Sequence, residues 1–197
     1  VIQCIAILKG KDMKRILTGL VALAISGMVL AGTVTIEGSA VNTVGGNDQS
    51  RAKFAISESI NKTFSVSGQL TSTQTDNTNS IGTRLEIGGT AAAPLFGSVK
   101  GYTKISLGQK YGNFGSFTYY SIEPGFTMPL SSNLTTKVGY RFRSAVENAN
   151  INKDTTETLR VGVTYAINKK DAVGLRFDRI TGDSRQDGYN LFYSRSF

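Results

Sequence analysis

Thr158-Leu159-Arg160-Val161-Gly162-Val163-Thr164-Tyr165-Ala166-Ile167 is apolar at every odd position and small, polar or basic at every even one. A period of two is the signature of a β-strand with one apolar face, because successive side chains leave opposite sides of the pleat. The pattern recurs. Leu134, Thr136, Val138, Tyr140 and Phe142 oppose Thr135, Lys137, Gly139, Arg141 and Arg143. Val99, Gly101, Thr103, Ile105 and Leu107 oppose Lys100, Tyr102, Lys104 and Ser106. Val173, Leu175 and Phe177 oppose Gly174, Arg176 and Asp178, and Phe64, Val66, Gly68 and Leu70 oppose Ser65, Ser67 and Gln69.

Turn chemistry divides these runs. Short connections are expected at 60–62, 93–96, 129–133 and 168–171, and more polar ones at 45–48, 75–80, 109–115, 145–154 and 182–188. Asn, Asp, Gly and Ser there supply positive φ and local side-chain hydrogen bonds. Nine connections predict ten strands, at 33–42, 51–60, 63–73, 81–92, 97–107, 115–127, 134–144, 155–167, 172–181 and 188–197, with eight strands as the alternative. Glu123-Pro124-Gly125 predicts a bulge or early end in the sixth.

Composition removes several chemistries. The 197 residues contain no His and one Cys. His-dependent nucleophilic and acid–base mechanisms, His-bearing metal sites and thiolate zinc sites are therefore excluded. No spacing supports an Asp-only or Ser-Lys site, so no enzyme activity, cofactor or metal is expected.

The N-terminal part reads as an address. Met13-Lys14-Arg15 precedes an apolar run over 16–30, with Val29 and Ala31 as small residues before a cleavage point. Residues 13–31 are expected to be a signal peptide, and 1–12 an upstream extension of the reading frame. The folded domain is expected over 32–197. Lys9, Lys11, Lys14, Arg15 and Asp12 leave with the leader, so a formal charge of +8 becomes about +5.

Strands of about 10 residues suit a hydrocarbon band of about 25 Å crossed at a tilt of about 40°. A spanning sheet must close, because an open edge cannot be satisfied in lipid. Export and strand length favour a closed up-and-down antiparallel transmembrane β-barrel over a soluble one. The charged face then turns inward. Its lumen-lining candidates are Arg51, Lys53, Arg84, Glu86, Lys100, Lys104, Lys137, Arg141, Arg143, Arg160, Arg176 and Asp178, with Glu37 and Glu123 also on the polar face. Aromatic residues near strand ends, namely Tyr102, Phe117, Tyr119, Tyr140, Tyr165, Tyr189 and Phe197, are expected to form girdles at the two membrane–water boundaries.

The chain ends Tyr189-Asn190-Leu191-Phe192-Tyr193-Ser194-Arg195-Ser196-Phe197. Tyr189, Leu191, Tyr193 and Phe197 fit a last strand that is apolar at alternate positions and closes on Phe; Arg195 departs from the pattern. In this the chain resembles the small bacterial outer-membrane β-barrels, the OmpA- and OmpX-like and porin-like families. The resemblance implies a place in the outer membrane, contact with its lipid and lipopolysaccharide, and a last strand read by the barrel-assembly machinery.

Three roles follow. The first is an envelope-stabilising barrel whose basic lumen is plugged by salt bridges. The second is a narrow anion-preferring porin for small anions or solutes, since basic rings select anions. The third is surface adhesion or reception through the outer loops. Nucleic acid is not an expected partner, because the basic residues alternate within strands and form no run.

Overall fold

The computed structural model describes residues 32–76, 78, 80–112, 115–146 and 155–197. The expected leader and upstream extension lie outside the described residues. The expected long connection at 145–154 is described only at 145 and 146.

Ten antiparallel strands close into one barrel, each paired with its neighbours in sequence, and the last with the first. They are β1 (Gly32–Thr43), β2 (Gln49–Ser59), β3 (Phe64–Thr75), β4 (Ser80–Phe96), β5 (Val99–Gly112), β6 (Gly115–Pro129), β7 (Leu134–Ala145), β8 (Thr156–Ala166), β9 (Asp171–Gly182) and β10 (Gln186–Ser196). Closure runs from Thr33↔Ser196 to Thr43↔Gln186, and the Phe197 amide donates to the Gly32 carbonyl at 3.0 Å. No edge strand remains to be blunted or covered.

The barrel is strongly sheared. Starting at Gly139 and moving always to the register partner leads through Arg160, Asp178, Gly188, Val41, Gln49 and Thr75 to Ser80. That path begins in mid-strand and ends at a strand terminus. For ten strands and a shear of about 12 residues, a spacing of about 4.7 Å and a rise of about 3.3 Å give a tilt of about 40° and a backbone radius of about 10 Å. A 12-residue strand at that tilt climbs roughly 30 Å, enough to cross an apolar band of about 25 Å.

Residues Gly32 and Phe197 share one end of the barrel, called here the terminal end; the other is the loop end. Three terminal-end turns are built alike. Asn61, Ser131 and Asn168 each accept backbone amides two and three residues on, at 2.8–3.4 Å. In each, the preceding residue (Ile60, Leu130 or Ile167) donates its amide across the turn to the first residue of the next strand. A side-chain oxygen thus satisfies amides that the hairpin leaves unpaired.

Two expectations about connections are corrected. Residues 93–96 do not turn. They continue β4, which accommodates Pro94 with a register shift between Pro94 and Phe96. The chain reverses at Gly97 and Ser98, where Gly97 holds φ +52°, a conformation costly for a side chain bearing Cβ. Conversely, Glu123-Pro124-Gly125 is not a bulge. The β6–β7 register is unchanged on either side of it, and only the pairing at Glu123 and Pro124 is missing. Proline has no N–H to give the ladder.

The two faces are inverted relative to a water-soluble barrel. Among the described residues, buried apolar side chains are few: Val41, Ala52, Val99, Tyr102, Phe117, Tyr119 and Ile180. Ile87, Ile105, Leu107, Val161, Leu175 and Leu191 stand exposed on the outer wall. The charged Glu37, Glu86, Glu123, Arg141, Arg143 and Asp178 are buried. No described helix is long and apolar enough to cross a membrane.

Candidate functional site: a layered basic lumen

Side chains on strands that are not neighbours can meet only inside a barrel. Arg160 on β8 reaches Glu123 on β6, and Arg176 on β9 reaches Glu37 on β1. Tyr119 on β6 reaches Glu86 on β4, and Arg51 on β2 reaches Gln186 on β10. Each contact passes behind an intervening strand, which fixes the charged face as the lumen.

The lumenal carboxylates Glu37, Glu86, Glu123 and Asp178 lie in the middle stretch of their strands and form one belt. Glu37 accepts from Lys53 Nζ at 2.7 Å and from both terminal nitrogens of Arg176 at 2.8 and 3.0 Å. Arg176 also forks onto Asp178 at 2.7 and 2.9 Å. Arg160 joins Asp178, at 3.7 Å, to Glu123, which also accepts from Tyr102 Oη at 3.0 Å. On the other side, Glu86 accepts from Lys104 Nζ at 3.2 Å and Tyr119 Oη at 3.0 Å. Four cations are thus matched to four carboxylates. The bidentate geometry of Arg suits it to this bridging role. The basic partners keep 18–22% of their side-chain surface accessible, so the belt is wetted rather than sealed dry.

Above the belt, toward the loop end, the balance changes. Arg51, Arg84, Lys110, Arg141 and Arg143 line a cavity of about 370 Å³, together with Gln49, Gln186, Thr73 and Thr156. Among the described lining residues the one carboxylate is Asp183 at the rim, which already accepts from the Thr155 amide at 2.8 Å. Among the described residues, no carboxylate oxygen lies within ion-pair distance of Arg51, Arg84 or Arg141. Arg84 and Arg143 are both held over the Tyr119 ring, 5.7 and 5.3 Å from its centroid. Arg51 donates to Gln49 at 2.8 Å and Gln186 at 2.6 Å, both neutral amides. Such stacking and amide contacts orient guanidinium groups without discharging them.

Below the belt most inward side chains are small, apart from Lys137, Tyr102 and Phe192. Thr35, Ser57, Ser67, Thr90, Thr127, Thr164 and Ser194 share the inward parity there. Lys137 lies with its ammonium 4.1 Å from the Tyr102 ring centre. The Tyr102 ring crosses the wall at Gly139, where an added Cβ would collide with its hydroxyl. The aromatic ring fills space that only a glycine leaves open.

The inward face therefore holds Arg51, Lys53, Arg84, Glu86, Lys104, Lys137, Arg141, Arg143, Arg160, Arg176 and Asp178 in three layers. Lys100 has the same parity but stands exposed at the terminal-end mouth, away from the belt. Lys110 was assigned by sequence to a connection; β5 continues to Gly112 and carries it into the cavity. Its even parity with Lys104 was the available signal. Tyr189, Leu191, Tyr193 and Phe197 have outward parity on or just beyond β10, and Arg195 on that face lies 3.5 Å from Asp171.

The girdle expectation is corrected for three residues. Tyr102, Phe117 and Tyr119 are 8%, 5% and 0% exposed and belong to the lumen. They share parity with Lys104, Glu123 and Ser121, and proximity to a strand end does not override parity. Tyr140, Tyr165, Tyr189 and Phe197 are on the outer wall, as are the pairs Phe177–Tyr189 and Tyr120–Phe142. Among the described residues, no group of His, Cys, Asp or Glu is placed to hold a metal ion.

No protein-family model and no curated protein matches the chain. Solved structures do. The translocator domain of the autotransporter NalP from Neisseria meningitidis aligns over 94% of this chain and 95% of its own, with a TM-score of 0.52 at 8% identity. The NanC porin aligns over 83% of this chain and 100% of its own, with a TM-score of 0.50 at 11% identity. These likenesses show the fold, that of the bacterial outer-membrane β-barrels.

Proposed function

We propose that this protein is an integral outer-membrane barrel that passes small anions through a narrow, basic lumen. The loop end faces the medium and the terminal end faces the periplasm, the arrangement an even strand number allows. The observation carrying the reading is the layered charge. Among the described residues, Arg51, Arg84 and Arg141 stand at one mouth with no carboxylate in ion-pair distance, and a charge-matched, wetted belt forms the constriction. Basic rings select anions, and water at the constriction keeps a path open. The outer wall meets lipid and lipopolysaccharide, and the outward row Tyr189, Leu191, Tyr193 and Phe197 is the strand the assembly machinery engages.

The second reading is a barrel that only stabilises the envelope, favoured by the ion-paired belt across the lumen. Conductance in a planar bilayer separates the two. Under a salt gradient the refolded barrel should show discrete steps with a reversal potential of anion-selective sign. Arg141→Gln or Arg143→Gln should cut the chloride current about threefold, the effect of removing one unit charge roughly 6 Å from the ion path in water. A folded barrel that shows no steps would establish the envelope reading instead.

A further inference from the structure

We infer that the loop-end vestibule is a saturable binding site for a compact oxyanion carrying two or more negative charges, of the phosphate class. The inference rests on the channel reading for its biological meaning but not for its chemistry.

Size comes first. The cavity of about 370 Å³ is far larger than a chloride ion needs and admits one small polyatomic anion with some water. Charge comes next. Among the described residues no carboxylate lies within ion-pair distance of Arg51, Arg84 or Arg141 at the cavity, and Arg141 is 6% exposed. Holding several like charges in one small volume is costly, and a single monovalent anion offsets little of that repulsion. An anion of charge −2 or more offsets more of it per site occupied.

Donor geometry is the third argument. The Nε atoms of Arg51, Arg84 and Arg141 are buried without a hydrogen-bond partner, and so is the hydroxyl of Thr156, which lines the same cavity. A buried polar atom left unsatisfied asks for an occupant. Guanidinium edges present paired donors that match the two oxygens of a phosphate or carboxylate, which a spherical halide cannot satisfy. Stacking on Tyr119 holds the Arg84 guanidinium in place before any ligand arrives, so little ordering remains to be done on binding.

The test is calorimetric titration of the refolded barrel in detergent with inorganic pyrophosphate, at constant ionic strength set by sodium chloride. The expected result is saturable binding of one pyrophosphate per barrel despite excess chloride. Arg84→Gln should weaken it about tenfold or more, the loss expected for a charge-assisted donor pair. Arg51→Gln, on β2 across β3 from Arg84, should do the same and serves if the first variant fails to fold. Lys100→Gln, at the other mouth, should leave it unchanged. Heats without saturation, or equal affinity in all three variants, would overturn the site. A barrel that binds pyrophosphate yet conducts no chloride would sink the channel reading alone, and one that conducts without binding would sink this inference alone.

Discussion

Glu123→Ala should lower the unfolding free energy of the barrel by about 3–5 kcal/mol, the cost of breaking a buried ion pair from one side. Glu123 is 4% exposed and accepts from Arg160 and from Tyr102 Oη. Removing the carboxylate leaves Arg160 with Asp178 alone, at 3.7 Å, and leaves the Tyr102 hydroxyl without its acceptor. Lys137, held over the Tyr102 ring, loses the nearby negative charge as well. Glu123→Gln keeps an acceptor for Tyr102 but removes the charge, and should fall between wild type and Ala. The measurement is the urea midpoint for unfolding in detergent, with the unfolding slope checked for constancy. A loss under about 1 kcal/mol, the value typical of solvent-exposed pairs, would mean the belt is screened by bulk water.

The belt ties the stability of the barrel to the space left open inside it. Its carboxylates occupy the middle of β1, β4, β6 and β9, and two of its cations, Arg160 reaching Glu123 and Arg176 reaching Glu37, tie strands that share no backbone ladder. The same groups narrow the lumen. A variant that widens the path by deleting a carboxylate therefore loosens the wall around it.

The strands were legible because alternation is a backbone property. Where side chains obeyed it, as from Leu159 to Tyr165, both strand and face followed from residue type alone. Proline and glycine misled the reading wherever they look like punctuation but are absorbed by the sheet. Pro94 sits in β4 opposite Lys100, and Gly125 continues β6 in unchanged register. The lumen's membership was also readable from parity, but its layering was not. Which cations find carboxylates depends on a shear that brings β8 to β6 and β9 to β1 at particular heights, and sequence alternation is silent about height. Lys110 was missed for the opposite reason, because Gln109 to Gly115 has the composition of a turn although β5 runs through most of it.

Ile105→Arg should destabilise the barrel in lipid vesicles by about 2–4 kcal/mol, while Ile81→Arg should cost about 1 kcal/mol or less. Ile105 is 58% exposed on the outer wall of β5 near mid-strand, and its neighbours Lys104 and Ser106 point the other way, into the lumen. An arginine there would place its charge in hydrocarbon, and the side chain must stretch far to reach a headgroup. Ile81, 38% exposed, is the second residue of β4 at the loop end, where the same charge lies near the water boundary. The prediction turns on the difference between the two positions, because in water both substitutions would sit on a solvated surface and cost little. Urea unfolding from vesicles, with each variant compared against wild type in the same lipid, reads that difference. Equal small costs at both depths would mean that the apolar wall faces water or another protein rather than a bilayer. A large cost at Ile105 alone would fix the outer wall as the lipid face and, with it, the belt of Glu37, Glu86, Glu123 and Asp178 as the charged interior of a membrane-spanning barrel.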